Sequence, residues 1–358
     1  MQTVEEKISI RSIASDKSIL EALKHMDKQK VKLLFVYDNV EKFIGLISIG
    51  DLQRSIIQNL PFDTVIGSII KKDSILSFQG EKIEDVKKKM VQFRTECMPV
   101  LNEKGEIIDV HLWEDFFLQD ESRIEQAYNI PVVIMAGGKG TRLKPLTNVI
   151  PKPLIPIGDK TIIEVIIDNF RKIGSKNFYI SVGYKSEMIQ FYLSGIDKDY
   201  TLDYFFEDKP LGTAGSLYML KDKIKETFFM SNCDIIVNDD YNEIYKYHQA
   251  NNNMITLVAS LKHIKIPYGT VESGINGELI ELKEKPELTY MINTGMYIID
   301  KEAFNYIPED TFYHITDLIE DLKKQNKKIG VFPVSEQSWT DIGEWPEYQK
   351  IIDSYLLR

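Results

Sequence analysis

A chain of 358 residues is long for one domain and predicts two or three. Hydrophobic residues make up 43% and charged residues 27%, which excludes disordered and fibrous classes, and a net charge of −10 argues against a nucleic-acid partner, which needs surplus Lys and Arg. Cys97 and Cys233 are too few and too far apart for a disulfide framework or a zinc site, so both are expected as free, buried thiols.

Met1 to Ile10 carries Glu5, Glu6 and Lys7 among isolated apolar residues, unlike a secretion signal. No apolar run approaches the roughly 18 residues needed to span a bilayer, so a cytoplasmic location is expected.

The first third repeats itself. A shift of 64 residues superposes Lys17–Leu52 on Glu81–Phe116 without a gap, with Ile19 meeting Ile83, Met26 meeting Met90, Val36 meeting Val100, Leu46 meeting Val110 and Asp51 meeting Asp115. Ile19, Leu20, Leu23 and Met26 at helical spacing predict a helix, and Leu33–Tyr37 and Phe43–Ile47 predict strands. The segment Phe43 to Leu52 resembles the closing strand and helix start of the CBS family. That resemblance implies a tandem CBS domain over residues 1–120, with repeats at about 3–60 and 61–120. It also implies that Ser48 and Asp51 hold the phosphate and ribose of an adenine nucleotide, and that the chain forms a homo-oligomer. The same two residues suit a helix cap equally well. The second repeat has Asp109, His111 and Leu112 where the first has Gly45, Ile47 and Ser48, so at most one site of this kind is expected. His25, His111 and Met26 read as packing or surface residues.

Residues 121–130 are polar and read as a helical linker. From Pro131 an apolar strand runs straight into Ala136-Gly137-Gly138-Lys139-Gly140-Thr141-Arg142, the way α/β folds bring backbone N–H groups to phosphates. The loop is neither a P-loop nor a dinucleotide fingerprint. Its continuation through Leu143-Lys-Pro-Leu-Thr147 and Pro151-Lys-Pro-Leu-Ile-Pro-Ile157 resembles the sugar-phosphate nucleotidyltransferase family, and the likeness extends from residue 131 to 358.

That resemblance implies a Rossmann-like α/β domain with a mixed, mostly parallel sheet and loops gathered at the strands' C-terminal ends. Helices are expected over Thr161–Lys172, Met188–Leu193 and Tyr241–Asn251. The resemblance further implies catalytic roles for Arg142, Lys152, Asp234, Asp341 and Lys285, with Asp234 and Asp341 holding Mg²⁺. Ala136, Gly137, Gly138, Gly140, Thr141, Glu207, Gly212 and Thr213 would contact the nucleotide, and Tyr268, Gly269, Glu284, Asn293 and Thr294 the sugar. Two highly charged anions meet in the reaction, so charge neutralisation dominates. A sugar phosphate is already an anion and needs no protein base.

Glu207 stands five residues before Gly212, where uridylyl- and thymidylyl-transferring relatives place a neutral residue. A carboxylate offers only acceptors; guanine presents donors at N1 and its 2-amino group, whereas uracil would meet it with a carbonyl. GTP is therefore the expected nucleotide. CBS repeats joined to such a domain resemble the glucosamine-1-phosphate guanylyltransferases of legionaminic acid biosynthesis. Mannose 1-phosphate, heptose 1-phosphate and a uridylyl or thymidylyl specificity stay open, as does a regulatory subunit without activity.

Overall fold

A computed structural model describes residues 3–70, 75–93, 95, 97–113, 116 and 128–356. Asp115 and residues 121–127 of the expected linker lie outside them. The chain divides into two compact units, Met1–Ile124 and Glu125–Arg358.

The first unit holds α1 (Val4–Ser9), β1 (Ser12–Ala14), α2 (Ile19–Gln29), β2 (Leu33–Tyr37), β3 (Phe43–Ser48) and α3 (Ile49–Ile57). After these come β4 (Ser77–Phe78), α4 (Ile83–Phe93), β5 (Cys97–Leu101) and β6 (Ile107–Leu112). The helix α2 starts where Ser18 accepts from the Glu21 amide and Glu21 reaches back to the Ser18 amide, a capping box worth about 1 kcal/mol. It buries Ile19, Ala22, Leu23 and Met26 on one face and stops at Lys30 in the left-handed region. The α2, β2 and β3 spans recur as α4, β5 and β6, each boundary 64 residues further on. Even the irregularity recurs: register slips between Val36 and Tyr37 in one repeat and between Val100 and Leu101 in the other. Phe35, Cys97 and Val110, flanked by Leu46 and Ile107, form a core shared by both repeats.

The second unit begins with β7 (Val132–Met135), the small hairpin β8 (Pro156–Ile157) and β9 (Lys160–Thr161), α5 (Ile162–Arg171), β10 (Asn177–Val182) and α6 (Ser186–Ser194). It continues through β11 (Thr201–Phe206), the short turn α7 (Gly212–Gly215), β12 (Phe228–Asn232), β13 (Ile235–Val237), α8 (Tyr241–Asn251) and β14 (Ile255–Lys265). The ribbon β15 (Thr270–Ser273) and β16 (Leu279–Lys283), then β17 (Glu287–Ile299), α9 (Ile315–Lys324), β18 (Ile329–Val334), β19 (Trp339–Asp341) and α10 (Trp345–Leu356) complete it.

Seven strands form one sheet in the order β11-β10-β7-β12-β17-β14-β18. The first four run parallel and only β17 opposes its neighbours, so the sheet is mixed and mostly parallel. Val132, Val133 and Ile134 are buried on both faces of β7, the signature of a central parallel strand. Ile162, Ile163, Ile166, Ile167 and Phe170 bury one side of α5, each contributing about 2 kcal/mol by leaving water. The parallel order places the C-terminal ends of β7, β10, β11 and β12 along one edge, where the loops after them meet. Both cysteines are buried and neither is in a disulfide, and burial pushes the Cys233 thiol up to about 12, which keeps it protonated and inert. Among the described residues no helix is long and apolar enough to cross a membrane.

His248 is buried at the end of α8, its Nδ1 2.9 Å from Thr256 Oγ1. Burial lowers its imidazole to about 4, with Asp300 pulling weakly the other way. The neutral ring therefore stabilises the fold fully above the unfolded value near 6.5, and that contribution is lost as pH falls towards 4. Denaturant unfolding at pH 7 and pH 5 should show about 2 kcal/mol of lost stability from this residue. In His248→Gln that share of the pH dependence should vanish.

Candidate active site

At the C-terminal end of β7 the chain turns through Ala136, whose amide donates to Ser181 O at 3.0 Å, into the glycine loop. Gly140 adopts φ +61, and a Cβ there would lie 2.9 Å from Thr147 Cγ2 and 3.2 Å from Lys152 Cβ. Only glycine lets the loop close over Lys152 in this way. Gly137 packs equally tightly on Gly183, whose absent Cβ would fall 3.0 Å from the Gly137 carbonyl. Gly138 faces open space, and Thr141 is exposed at the start of the turn that carries Arg142.

Asp234 follows β12, and the pairing of β13 with β19 sets Asp341 opposite Ile235. The Ile342 amide donates to the Asp234 carbonyl at 2.7 Å, which locks the two acidic segments side by side. Lys152 Nζ donates to Asp234 Oδ2 at 2.6 Å, and its side chain is only 8% exposed. Arg142 approaches the same oxygen at 3.7 Å and donates to Glu344 Oε1 at 3.3 Å. Asp341 Oδ1 accepts from the Gly343 amide at 2.6 Å. A Cβ on Gly343 would stand 2.6 Å from Asp341 Oδ1, 2.8 Å from Arg142 Nη2 and 3.1 Å from Lys152 Nζ, so these groups surround one small volume. Two carboxylates and two cations converge there, and Gly343 and Glu344 join them without having been singled out in the sequence.

Among the described residues no group of three or more His, Cys, Asp or Glu side chains could hold a metal ion by itself. The donor set nevertheless fits Mg²⁺, which is characteristically held by one or two carboxylates, with water and substrate phosphates completing its shell.

Glu207 lies just past β11. Its Oε1 accepts from Ser181 Oγ at 2.9 Å and its Oε2 from the Leu211 amide at 3.1 Å. A Cβ on Gly137 would be 3.8 Å from Oε1, so the carboxylate lines the glycine loop. Gly212, at φ +73, presses on the Tyr313 carbonyl, 2.7 Å from where its Cβ would be. Thr213 Oγ1 accepts from the Ile315 amide at the start of α9, so its hydroxyl oxygen anchors that helix.

The expected sugar contacts fall in two places. Tyr268, Gly269, Glu284 and Lys285 sit on the outer ribbon: a Cβ on Gly269 would be 3.2 Å from Glu284 Oε2, and Lys285, 69% exposed and at φ +45, pairs with Glu284 at 3.8 Å. Asn293 lies on β17, donating to Tyr297 Oη at 2.6 Å and accepting from the Gly295 amide. Gly295 in turn packs on Asn232, two residues before Asp234. Thr294 is buried, and its hydroxyl donates to Val258 O and accepts from the Met296 amide, which leaves no donor for a sugar.

In the first unit Ser48 and Asp51 form the capping box of α3, and Asp51 also accepts from Arg54. The arrangement gives both residues a structural role. A polar crevice of about 470 Å³, lined by His248, Asn253, Asp300 and Lys327 among others, holds none of the expected site residues.

Residues 131–357 match the family model described as nucleotidyl transferase, and residues 7–58 match the CBS domain model. A UTP–glucose-1-phosphate uridylyltransferase of Synechocystis is 30% identical, the match covering 63% of this chain and 63% of that protein. The bifunctional protein GlmU of Methanococcus maripaludis is 35% identical over 59% of this chain and 51% of its own length. A mannose-1-phosphate guanyltransferase of Saccharomyces cerevisiae is 31% identical over 59% of this chain and 61% of its own. The chain thus spans between 51% and 63% of the length of these relatives.

Proposed function

Because the chain belongs to the nucleotidyl transferase family, we propose that it joins a sugar 1-phosphate to a nucleoside triphosphate and releases pyrophosphate, with GTP and glucosamine 1-phosphate as its substrates. The observation that supports this best is the convergence of Arg142, Lys152, Asp234 and Asp341 around Gly343 at the C-terminal edge of the sheet.

A sugar-phosphate oxygen forms the new bond to the α-phosphorus as the bond to the leaving pyrophosphate breaks, and the electron pair departs with the pyrophosphate. No proton moves in that step. Arg142, exposed at the mouth, holds the departing phosphates bidentately. Lys152 swings from Asp234 to the α-phosphate, whose charge spreads as the leaving bond stretches. The amides from Gly137 to Thr141 cradle the phosphates. Mg²⁺ held by Asp234 and Asp341 would supply charge neutralisation at the phosphates. Lys285 on the outer ribbon receives the sugar phosphate, with Glu284 and Asn293 reading its hydroxyls and amine.

Glu207 supports the choice of GTP, because its two acceptor oxygens match the paired donors of guanine. The relatives include both a uridylyltransferase and a guanyltransferase, so the base rests on this residue. Glucosamine, and a product serving legionaminic acid biosynthesis, rest on the resemblance of the two-unit layout; mannose and heptose 1-phosphates are the alternatives.

The test is pyrophosphate release with Mg²⁺, each nucleoside triphosphate being paired with glucosamine, N-acetylglucosamine, glucose, mannose and heptose 1-phosphates. Turnover confined to GTP and glucosamine 1-phosphate is expected. Preference for UTP or dTTP would overturn the reading of Glu207, and silence across the panel would favour a regulatory subunit.

A further inference from the structure

Ser181, next to last in β10, is fully buried on the strand between β7 and β11. A serine in a strand interior ordinarily spends its hydroxyl on a nearby backbone carbonyl. Here it crosses instead to a side chain, donating to Glu207 Oε1 at 2.9 Å, while the Leu211 amide takes Oε2 at 3.1 Å. The backbone is equally constrained, because Ala136 N donates to Ser181 O and Gly137 lies where any Cβ would come 3.4 Å from Ser181 Oγ. Glu207 is thus gripped at both oxygens by donors from two different segments, one of them an interior strand of the sheet.

We infer that Ser181 is a positioning residue for base selection: with the Leu211 amide it fixes the plane of the Glu207 carboxylate, so that the two lone pairs left over face the paired donors of guanine. This rests on the proposed guanine-reading role of Glu207. Each carboxylate oxygen can accept about two hydrogen bonds, so one acceptor position per oxygen stays available after Ser181 and Leu211 are satisfied. A carboxylate free to rotate would meet N1–H and the 2-amino group only part of the time. One held at both ends meets them without further ordering, and preorganisation of this kind favours the ligand with two donors over the ligand with one. Ser181 itself touches the carboxylate and not the base.

The experiment compares GTP with inosine triphosphate, which keeps N1–H and lacks the 2-amino group, by kcat/KM in pyrophosphate release. The wild-type protein should prefer GTP by about tenfold or more, the effect of one hydrogen bond to a charged acceptor. Ser181→Ala should bring that ratio to within about threefold of unity through a higher KM for GTP, with kcat nearly unchanged. Ser181→Cys, which keeps the size with a weaker donor, should fall between and guards against a folding defect in the first variant. A GTP-to-inosine-triphosphate ratio unchanged in both variants would overturn the positioning role while leaving the base assignment intact. A wild-type protein that prefers UTP would instead overturn the base assignment, and the role of Ser181 with it.

Discussion

Asp234→Asn should lower kcat/KM about 1,000-fold in pyrophosphate release while the fold stays in place. The substitution preserves size and an oxygen to accept from Lys152 Nζ, now 2.6 Å away, and it leaves the bond from the Ile342 amide to the residue 234 carbonyl untouched. What disappears is one of two carboxylate charges in a cluster that also holds Lys152 and Arg142. Loss of a single preorganised electrostatic group costs about 100- to 1,000-fold in comparable sites. Asp234 faces both cations, which places it at the upper end. Its stability cost should be about 1 kcal/mol, because the hydrogen bond survives in neutral form. Steady-state rates alongside thermal midpoints check both halves. An asparagine variant retaining more than a tenth of the activity would locate the chemistry elsewhere.

Gly343→Ala should lower kcat about 100-fold although it removes no functional group. The added methyl would arrive 2.6 Å from Asp341 Oδ1 and 2.8 Å from Arg142 Nη2, closer than atoms tolerate, and 3.1 Å from Lys152 Nζ, a tight contact. Lys152 and Arg142 meet it with the ends of flexible side chains, so they give way cheaply and the fold loses about 1 kcal/mol. The cost falls on alignment, since displacing a reacting or neutralising group by about 1 Å costs about 100-fold. Gly343→Ala with wild-type kcat and KM would mean that this volume is not where the phosphates sit.

The sequence made the scaffold legible where a single physical signal was strong. Tyr241–Asn251 is a helix at its expected bounds, and Asp240 accepting from the Asn242 and Glu243 amides explains its start. The repeat was readable because a backbone used twice buries most of the same positions twice, as Met26 and Leu34 show beside Met90 and Met98. Arg142, Lys152, Asp234 and Asp341 were readable through the family likeness, since each sits in a distinctive local string. Gly343 and Glu344 were not, because their place depends on the pairing of β13 with β19, elements distant in sequence that periodicity cannot join. Ser181 was hidden for another reason: one serine among Phe178, Ile180 and Val182 looks like any strand residue until its partner is seen. Thr294 shows the converse, a polar residue in a promising string whose hydroxyl goes to Val258 and Met296 instead. The outer ribbon was read only as sugar-binding strings. Its exposed Val271, Ile280 and Leu282 have no pattern a buried-face rule would detect.

The doubled backbone of the first unit is symmetric in its strands and helices and asymmetric in its chemistry. Ser48 caps α3 with a hydroxyl, while its counterpart 64 residues on is Leu112, which has none to offer; Gly45 likewise becomes Asp109, whose carboxylate accepts from the next amide. Cooperative, threshold-like responses within one chain require two sites whose occupancies influence each other. Of the two positions the duplication supplied, only Ser48 carries a hydroxyl, so a ligand that needs that hydroxyl would find one place per chain and fill it as a single saturable site.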